Sequence, residues 1–282
     1  MAKSQDTNRR YRTIFLSDLH LGTRGCQAEL VLDFLRHNDA DTIFLVGDII
    51  DGWRLRSGWY WPQAHNDVIQ KLLRKVRRGA RMIFVPGNHD EFARQFVGLS
   101  FGGIEIVRNA IHIAADGKTY LIMHGDEFDV VVRHSKWLAH FGDWAYEAAL
   151  FINTRFNDVR RLFGFPYWSF SAWAKQKVKN AVNFIGSFEN ELAGEAKRRG
   201  VDGVVCGHIH HPTIREISGV TYINTGDFVE SCSLIVEHED GRFEVMRWSK
   251  TFAEARRGEP GTTVIAEADA EPEVEAAEAE AA

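Results

Sequence analysis

Apolar residues gather in short runs separated by polar, glycine-bearing segments. Five β-rich runs stand out, RTIFL at 12–16, TIFLV at 42–46, RMIFV at 81–85, TYLIM at 119–123 and VDGVVC at 201–206, and a sixth, VTYIN, begins at 220. Their continuity, without apolar–polar alternation, predicts strands covered on both faces. Segments with helical spacing, 29–37 and 63–78, separate the first three runs, which is the spacing of α/β crossovers. The stretch SLIVEHEDGRFEVMRW carries two alternating runs about Glu239-Asp240-Gly241 and predicts a hairpin.

The segment from about 128 to 192 breaks this rhythm: it has no strand-like run, and helical spacing covers 131–149 and 172–193. It reads as a helical insertion. Between Val130 and Ile185 it carries eight cations (Arg133, Lys136, Arg155, Arg160, Arg161, Lys175, Lys177 and Lys179) against three acids (Asp143, Glu147 and Asp158), and aromatic residues crowd the same stretch. Such a segment offers charge to phosphates and apolar surface to acyl chains, although its aromatics also suit packing between its own helices.

With 282 residues, 45% hydrophobic and 26% charged, the chain has a globular composition and excludes collagen, wholesale disorder and a coiled coil. No apolar run reaches membrane-spanning length and the first residues lack a signal peptide's apolar stretch, so a cytoplasmic protein is expected. Three widely spaced cysteines, Cys26, Cys206 and Cys232, suggest buried free thiols. The net charge of −5 conceals eight acids and no base at 259–282, leaving +3 for the rest. The Ala/Glu repetition there predicts a disordered acidic tail over 258–282, and a flexible N-terminus is expected over 1–11. A net +3 is too small for a strong phosphate-tracking surface, so no nucleic-acid partner is expected.

Candidate chemistry follows the strand-like runs directly: Asp18-Leu19-His20, Gly47-Asp48, Gly87-Asn88-His89-Asp90, His124-Gly125-Asp126 and Gly207-His208-Ile209-His210. Ligands of open α/β sheets bind beyond the carboxyl ends of the strands, so these groups should converge on one rim. Carboxylate, imidazole and amide oxygen without thiolate suit Mn, Fe, Mg or Zn. The other histidines, His37, His65, His112, His134, His140 and His238, lack a ligand-spaced partner and read as structural or exposed. Asp51 and Asp126 read equally as helix N-caps or as acceptors that fix neighbouring imidazoles.

The order DxH, GD, GNHD, H, GHxH resembles the calcineurin-like metallophosphoesterase family over roughly residues 12–250. The resemblance implies a layered α/β/β/α sandwich over 12–257, interrupted by the insertion as a lid. It implies two divalent metal ions, Mn the first choice, with Asp18, His20 and His210 on one, Asn88, His124 and His208 on the other, and Asp48 bridging. A water acidified between the two ions would attack phosphorus. His89 would contact the phosphate and protonate the leaving oxygen, with Asp90 orienting it.

The motif GDIIDGW and the long insertion after His124 resemble the branch of UDP-2,3-diacylglucosamine diphosphatases. That implies cleavage of a nucleotide sugar's pyrophosphate to a lipid monosaccharide phosphate and UMP, peripheral to the cytoplasmic face of the inner membrane. The chain departs from the branch at His89, where the branch carries arginine. A phosphoesterase acting on another phospholipid headgroup, nucleotide or nucleotide sugar is the alternative, and a non-catalytic scaffold a remote one. Within the insertion, Lys175 and Lys179 share a helical face and are the expected substrate-binding cations.

Overall fold

The computed structural model describes residues 9–131 and 170–249. Its first sheet takes β1 (Arg9–Leu16), β2 (Asn38–Val46), β3 (Arg81–Val85), β4 (Ser100–Phe101), β5 (Ile104–Ile106), β11 (Ser233–Glu237) and β12 (Phe243–Arg247) in the spatial order β12-β11-β1-β2-β3-β5-β4. The second sheet is β6 (Ala110–Ile113), β7 (Thr119–Ile122), β8 (Gly203–Cys206), β9 (Thr213–Ile217) and β10 (Val220–Asn224), in the order β6-β7-β8-β10-β9. Strands β1, β2, β3 and β5 run parallel, as do β7, β8 and β10, while the hairpin β11–β12 joins β1 antiparallel.

Strand alternation distributes one chain over three apolar layers. Ile14, Leu16, Ile43 and Leu45 face outward onto α1 (Ala28–His37) and α3 (Gln63–Arg77), meeting Val31, Leu35, Val68 and Leu72. Phe15, Phe44, Ile83 and Val85 face inward and meet Tyr120, Ile122, Val205 and Ile223 across the two sheets. Leu121, Met123, Val204 and Tyr222 on the far side of the second sheet pack against Phe188, Leu192, Ala193 and Ala196 of α4 (Phe170–Arg199). Helix, sheet, sheet, helix is the expected sandwich, and sheets buried on both faces explain the continuous apolar runs.

Two expectations change. β1 begins at Arg9 and pairs with the start of β2, Tyr11 standing opposite Ala40, so residues 9–11 belong to the sheet and not to a flexible N-terminus. The end of the segment read as an insertion is core: from Phe188 onward α4 is the outer layer of the second sheet and runs on to Arg199, past 192. The short helix α2 (Gly52–Ser57) and strands β4, β5, β6 and β9 carry too few apolar residues to announce themselves. The expected helix at 131–149 and the acidic tail at 258–282 lie outside the described residues, as do His134 and His140.

One ion cluster ties the sheets together. Glu237 of β11, fully buried, meets His112 Nε2 of β6 at 2.7 Å, accepts from the Ala115 N–H at 2.8 Å and stands 3.2 Å from Arg12 Nε. His112 is therefore structural, as is His65, whose Nδ1 accepts from the Gly22 N–H at 3.0 Å. The cysteines are free thiols, with Cys206 buried and Cys26 and Cys232 half-buried, and burial pushes the Cys206 thiol up to about 12.

Candidate metal centre

Every motif residue sits just past the carboxyl end of a strand. The first sheet supplies Asp18 and His20 after β1, Asp48 after β2 and Asn88 and His89 after β3; the second supplies His124 after β7 and His208 and His210 after β8. The seam between the two rims is thus where the groups meet. The local backbone is strained to bring them there. Among the described residues seven non-glycine positions have positive φ, and five of them are Asp18, His20, Asp48, His208 and His210, at 50° to 73°. Left-handed backbone is costly for such residues and persists where the surrounding structure enforces it, most often at functional sites.

Glycine is required where the rims touch. A Cβ on Gly47, itself at φ +80°, would overlap the His124 ring, and one on Gly87 would overlap the Asp48 carboxylate and the same ring.

Among the described residues three groups of side chains have their donor atoms within 4.8 Å of one another: Asp18, His20 and His210; Asp48, His124 and His208; and, behind them, His20, Asp51 and His89. His210 Nε2 faces Asp18 Oδ1 at 3.1 Å, and His124 Nε2 faces Asp48 Oδ2 at 3.4 Å. Asp48 Oδ2 also lies 4.0 Å from His20 Nε2 and 3.9 Å from His89 Nε2, which makes it the hub between the clusters. The remaining oxygens are tethered from behind. Ser17 Oγ donates to Asp18 Oδ2, the His208 N–H reaches the same oxygen at 3.0 Å, and the His89 N–H reaches Asp48 Oδ1 at 2.8 Å.

Among the described residues eight buried side-chain atoms lack a well-formed hydrogen bond within the protein, and four belong to the motif residues: Asn88 Oδ1, His89 Nδ1, His124 Nε2 and Asp18 Oδ1, the last 3.1 Å from His210 Nε2. Buried polar atoms are rarely left so, because desolvation without a partner costs about 1–3 kcal/mol each. Carboxylate oxygen, amide oxygen and imidazole nitrogen are a hard-to-borderline set that suits divalent cations, so the residues fit the metal ions the motif implies.

The electrostatics agree. Burial alone would raise the Asp48 carboxyl, yet His124, His89 and His20 hold it well below the usual carboxylate range; Asp18 is lowered in the same way by His210 and His124. Burial alone would lower the imidazoles, yet Asp48 and Asp18 raise His124 to about 10 and Asp18 raises His210 to about 9. The carboxylates thus create a negative potential that favours positive charge beside each imidazole.

Asp51 does more than cap a helix. Its Oδ1 accepts from the Arg54 N–H at the start of α2, while Oδ2 lies 3.2 Å from His20 Nδ1 and 3.0 Å from His89 Nδ1. Held on the Nδ1 side by one carboxylate oxygen, both rings turn their Nε2 atoms toward Asp48, at 4.0 Å for His20 and 3.9 Å for His89. Asp90 does not orient His89, contrary to expectation. It is fully buried, and its oxygens accept from the Gly87, Ile49 and Ile50 N–H groups, clamping the loops after β2 and β3 together. Burial and the charge of Asp48 raise its carboxyl to about 6. Asp126 likewise leaves His124 alone and binds Arg94 at 2.7 Å, while His124 Nδ1 faces the Val46 carbonyl at 2.9 Å.

Trp53, the last residue of the motif GDIIDGW, and Ser17, next to Asp18, carry no role in the sequence reading. The Trp53 ring lies 4.3 Å from that of His89, tilted 36°, and Ser17 sits beneath Asp18. Neither has a ligand-type side chain; adjacency to Asp18 and to the GDxxD segment was the only signal. Lys175 and Lys179 fall on the first half of α4, but their side chains lie outside the described residues.

The fold and the clustered donors define a class that comparison with known proteins confirms. A model of the calcineurin-like phosphoesterase family matches residues 11–212, and the chain belongs to that family of metal-dependent hydrolases. Its relatives include proteins named UDP-2,3-diacylglucosamine hydrolase. The one from Xanthomonas campestris pv. campestris is 27% identical over 246 residues, covering 81% of this chain and 96% of its own. That of Xanthomonas oryzae pv. oryzae is 28% identical over 256 residues (81% and 96%), and that of Stenotrophomonas maltophilia 27% over 244 residues (79% and 93%). Among solved structures, a phosphoesterase from E. coli aligns with 13% identity and a TM-score of 0.40, covering 84% of this chain and 99% of its own.

Proposed function

We propose that this chain hydrolyses the pyrophosphate of an acylated nucleotide sugar of the UDP-2,3-diacylglucosamine kind, releasing UMP and an acylated sugar phosphate. The observation that carries the chemistry is the pair of donor clusters joined at Asp48. The names of relatives aligned over almost their whole length support the substrate.

In this reading Asp18, His20 and His210 hold one divalent cation, Asn88, His124 and His208 a second, and Asp48 both. When bound, such a pair supplies an acidified water and offsets the charge of the phosphoryl oxygens. The chain's own residues do the rest. Ser17 and the His208 N–H fix Asp18 so that Oδ1 faces inward, and the His89 N–H fixes Asp48 in the same way. Asp51 Oδ2 stands 3.0 Å from Nδ1 of His89 and leaves Nε2 to the seam, where it would give a proton to a departing phosphate oxygen. His89 is 25% exposed at its side chain, which suits a group that must reach substrate. Lys175 and Lys179, proposed on helical spacing, would meet the substrate's outer phosphate or sugar.

The test is a comparison of acylated UDP-glucosamine, unacylated UDP-sugars and a small chromogenic phosphodiester with the metal-loaded protein. The acylated substrate should have the highest kcat/KM, and replacing Lys175 and Lys179 by Gln should lower that value far more than the value for the small diester. Efficient turnover of unacylated nucleotides with the acylated one ignored would sink the substrate assignment. It would favour the second reading, a nucleotide or headgroup phosphoesterase, to which His89 in place of the branch's arginine already points.

A further inference from the structure

Cations collect at one end of the first sheet's outer layer. Helices α1 and α3 finish where β2 and β3 begin, so their last turns lie at the end of the sheet opposite the candidate centre, which sits past the strands' carboxyl ends. Arg36 is in the last turn of α1, and Lys71, Arg74, Arg77 and Arg78 follow at helical spacing along the end of α3. Burial, Lys75 and Arg78 of its own helix and Arg36 of the neighbouring one hold the Lys71 ammonium below the usual lysine range, with Asp39 acting the other way. Asp39 is already engaged, because the buried Lys75 Nζ donates to it. Arg36, Lys71, Arg77 and Arg78 make no ion pair among the described residues, and Arg74 donates to the Gln70 amide oxygen at 2.8 Å. Two helix C-termini carry about half a negative charge each, which offsets one of these five cations.

The chain itself carries the anions that this face lacks. Residues 259–280 hold eight acids and no base, and lie outside the described residues. The point from which they depart is described. Trp248, directly after β12, packs edge-on against Phe34 of α1 with ring centroids 5.2 Å apart, and its Nε1 donates to Asp33 Oδ2 at 3.0 Å. Arg36 lies three residues, about one turn, further along that helix. Residues 250–258 reach roughly 30 Å when extended, about twice the length of the ten-residue α1, so the acids can lie over the ends of both helices. The other basic stretch, the insertion, returns into α4 on the far outer layer of the sandwich, across two sheets from this exit.

We propose that the acidic segment 259–280 folds back onto this face of its own chain and screens Arg36, Lys71, Arg74, Arg77 and Arg78 from other polyanions. Tethering sets its effective concentration at about 1 mM, an advantage that a free polyanion lacks. Charge complementarity and the exit beside α1 select the segment as occupant. The docking is electrostatic and weakens with salt, as exposed charges are screened.

The experiment measures the affinity of full-length, metal-loaded variants for heparin, a probe polyanion, at low and high salt. Changing the eight acids of 259–280 to their amides should raise that affinity about tenfold at low salt. The gain should shrink below about threefold when Arg74→Gln, Arg77→Gln and Arg78→Gln are added, because the uncovered face is then gone. No gain overturns the inference. So does a gain undiminished in the arginine variant, which puts the segment on another basic surface such as the insertion. Carbodiimide cross-linking of the parent should join Lys71 to a carboxylate of 259–280 within one chain, a readout that holds if the arginine variant folds poorly. Cross-links that form only between chains overturn the folding back and make the face a contact between copies. The proposed reaction does not enter any of these outcomes, and hydrolysis of the small diester serves as the check that each variant is folded.

Discussion

The carboxylate of Asp51 stands 3.0 Å from Nδ1 of His89, and the same oxygen is 3.2 Å from Nδ1 of His20. One acid three residues past the hub Asp48 therefore sets the direction of two imidazoles, one proposed as a metal ligand and one as the proton donor.

Asp51→Asn separates that duty from helix capping. Asparagine still caps α2 through its side-chain oxygen, so the melting temperature should change little, whereas alanine should cost about 1 kcal/mol more. Activity should fall by roughly 10–100-fold in both variants, as for other residues that orient metal-bound imidazoles. Equal activity of Asp51→Asn and the parent, in kcat/KM for the small diester, would dismiss the orienting role.

Asp48→Ala and His89→Ala should part company in metal content. Removing the hub leaves two cations without a shared anion, so metal analysis should find fewer than two ions per chain and no turnover. His89→Ala should retain both ions while turnover falls by about 10²–10⁴, the usual range for a lost general acid. Metal loss on the His89 substitution would contradict its assignment.

Gly87→Ala should damage the centre through volume alone, since the added methyl overlaps the Asp48 carboxylate and the His124 ring. A loss of about 1–3 kcal/mol in stability and weakened metal binding are expected. Gly194→Ala, in the interior of α4 with open space around its Cα, should instead gain about 0.5–1 kcal/mol. Urea unfolding of the two variants side by side checks both signs.

Glu237 should shape the acid limb of stability. Burial raises its pKa, but the contacts with His112 and the Ala115 N–H outweigh burial and leave the folded value below the ordinary 4.5. The folded state then holds fewer protons than the unfolded one in that window. Its stabilising contribution is complete above about pH 4.5 and declines as pH falls through the folded value. Glu237→Gln should therefore be less stable than the parent at neutral pH, with the gap narrowing on acidification. A gap that stayed constant between pH 6 and pH 3 in denaturant titrations would show that the carboxylate's charge is not the cause.

The strand-end positions of the ligand-type residues and the α/β order were both legible from local pattern. β3 appears at the residues the apolar run predicts, 81–85, because a strand buried on both faces needs an unbroken apolar run, and the α1 and α3 periodicities end within a residue or two of the helices themselves. Side-chain direction was not legible. Asp90 adjoins His89 in the chain yet turns to three backbone N–H groups, whereas Asp51, 38 residues earlier, reaches the imidazole; only the packing of the loop after β2 against the loop after β3 chooses between them. The same holds for α4, whose spacing announces a helix but not that Phe188 onward closes the second sheet. Residue type and period are properties of the chain and express local chemistry. Which oxygen meets which nitrogen depends on left-handed turns at Asp18, His20, Asp48, His208 and His210, conformations the residues do not favour alone and adopt because two packed sheets bring their rims together.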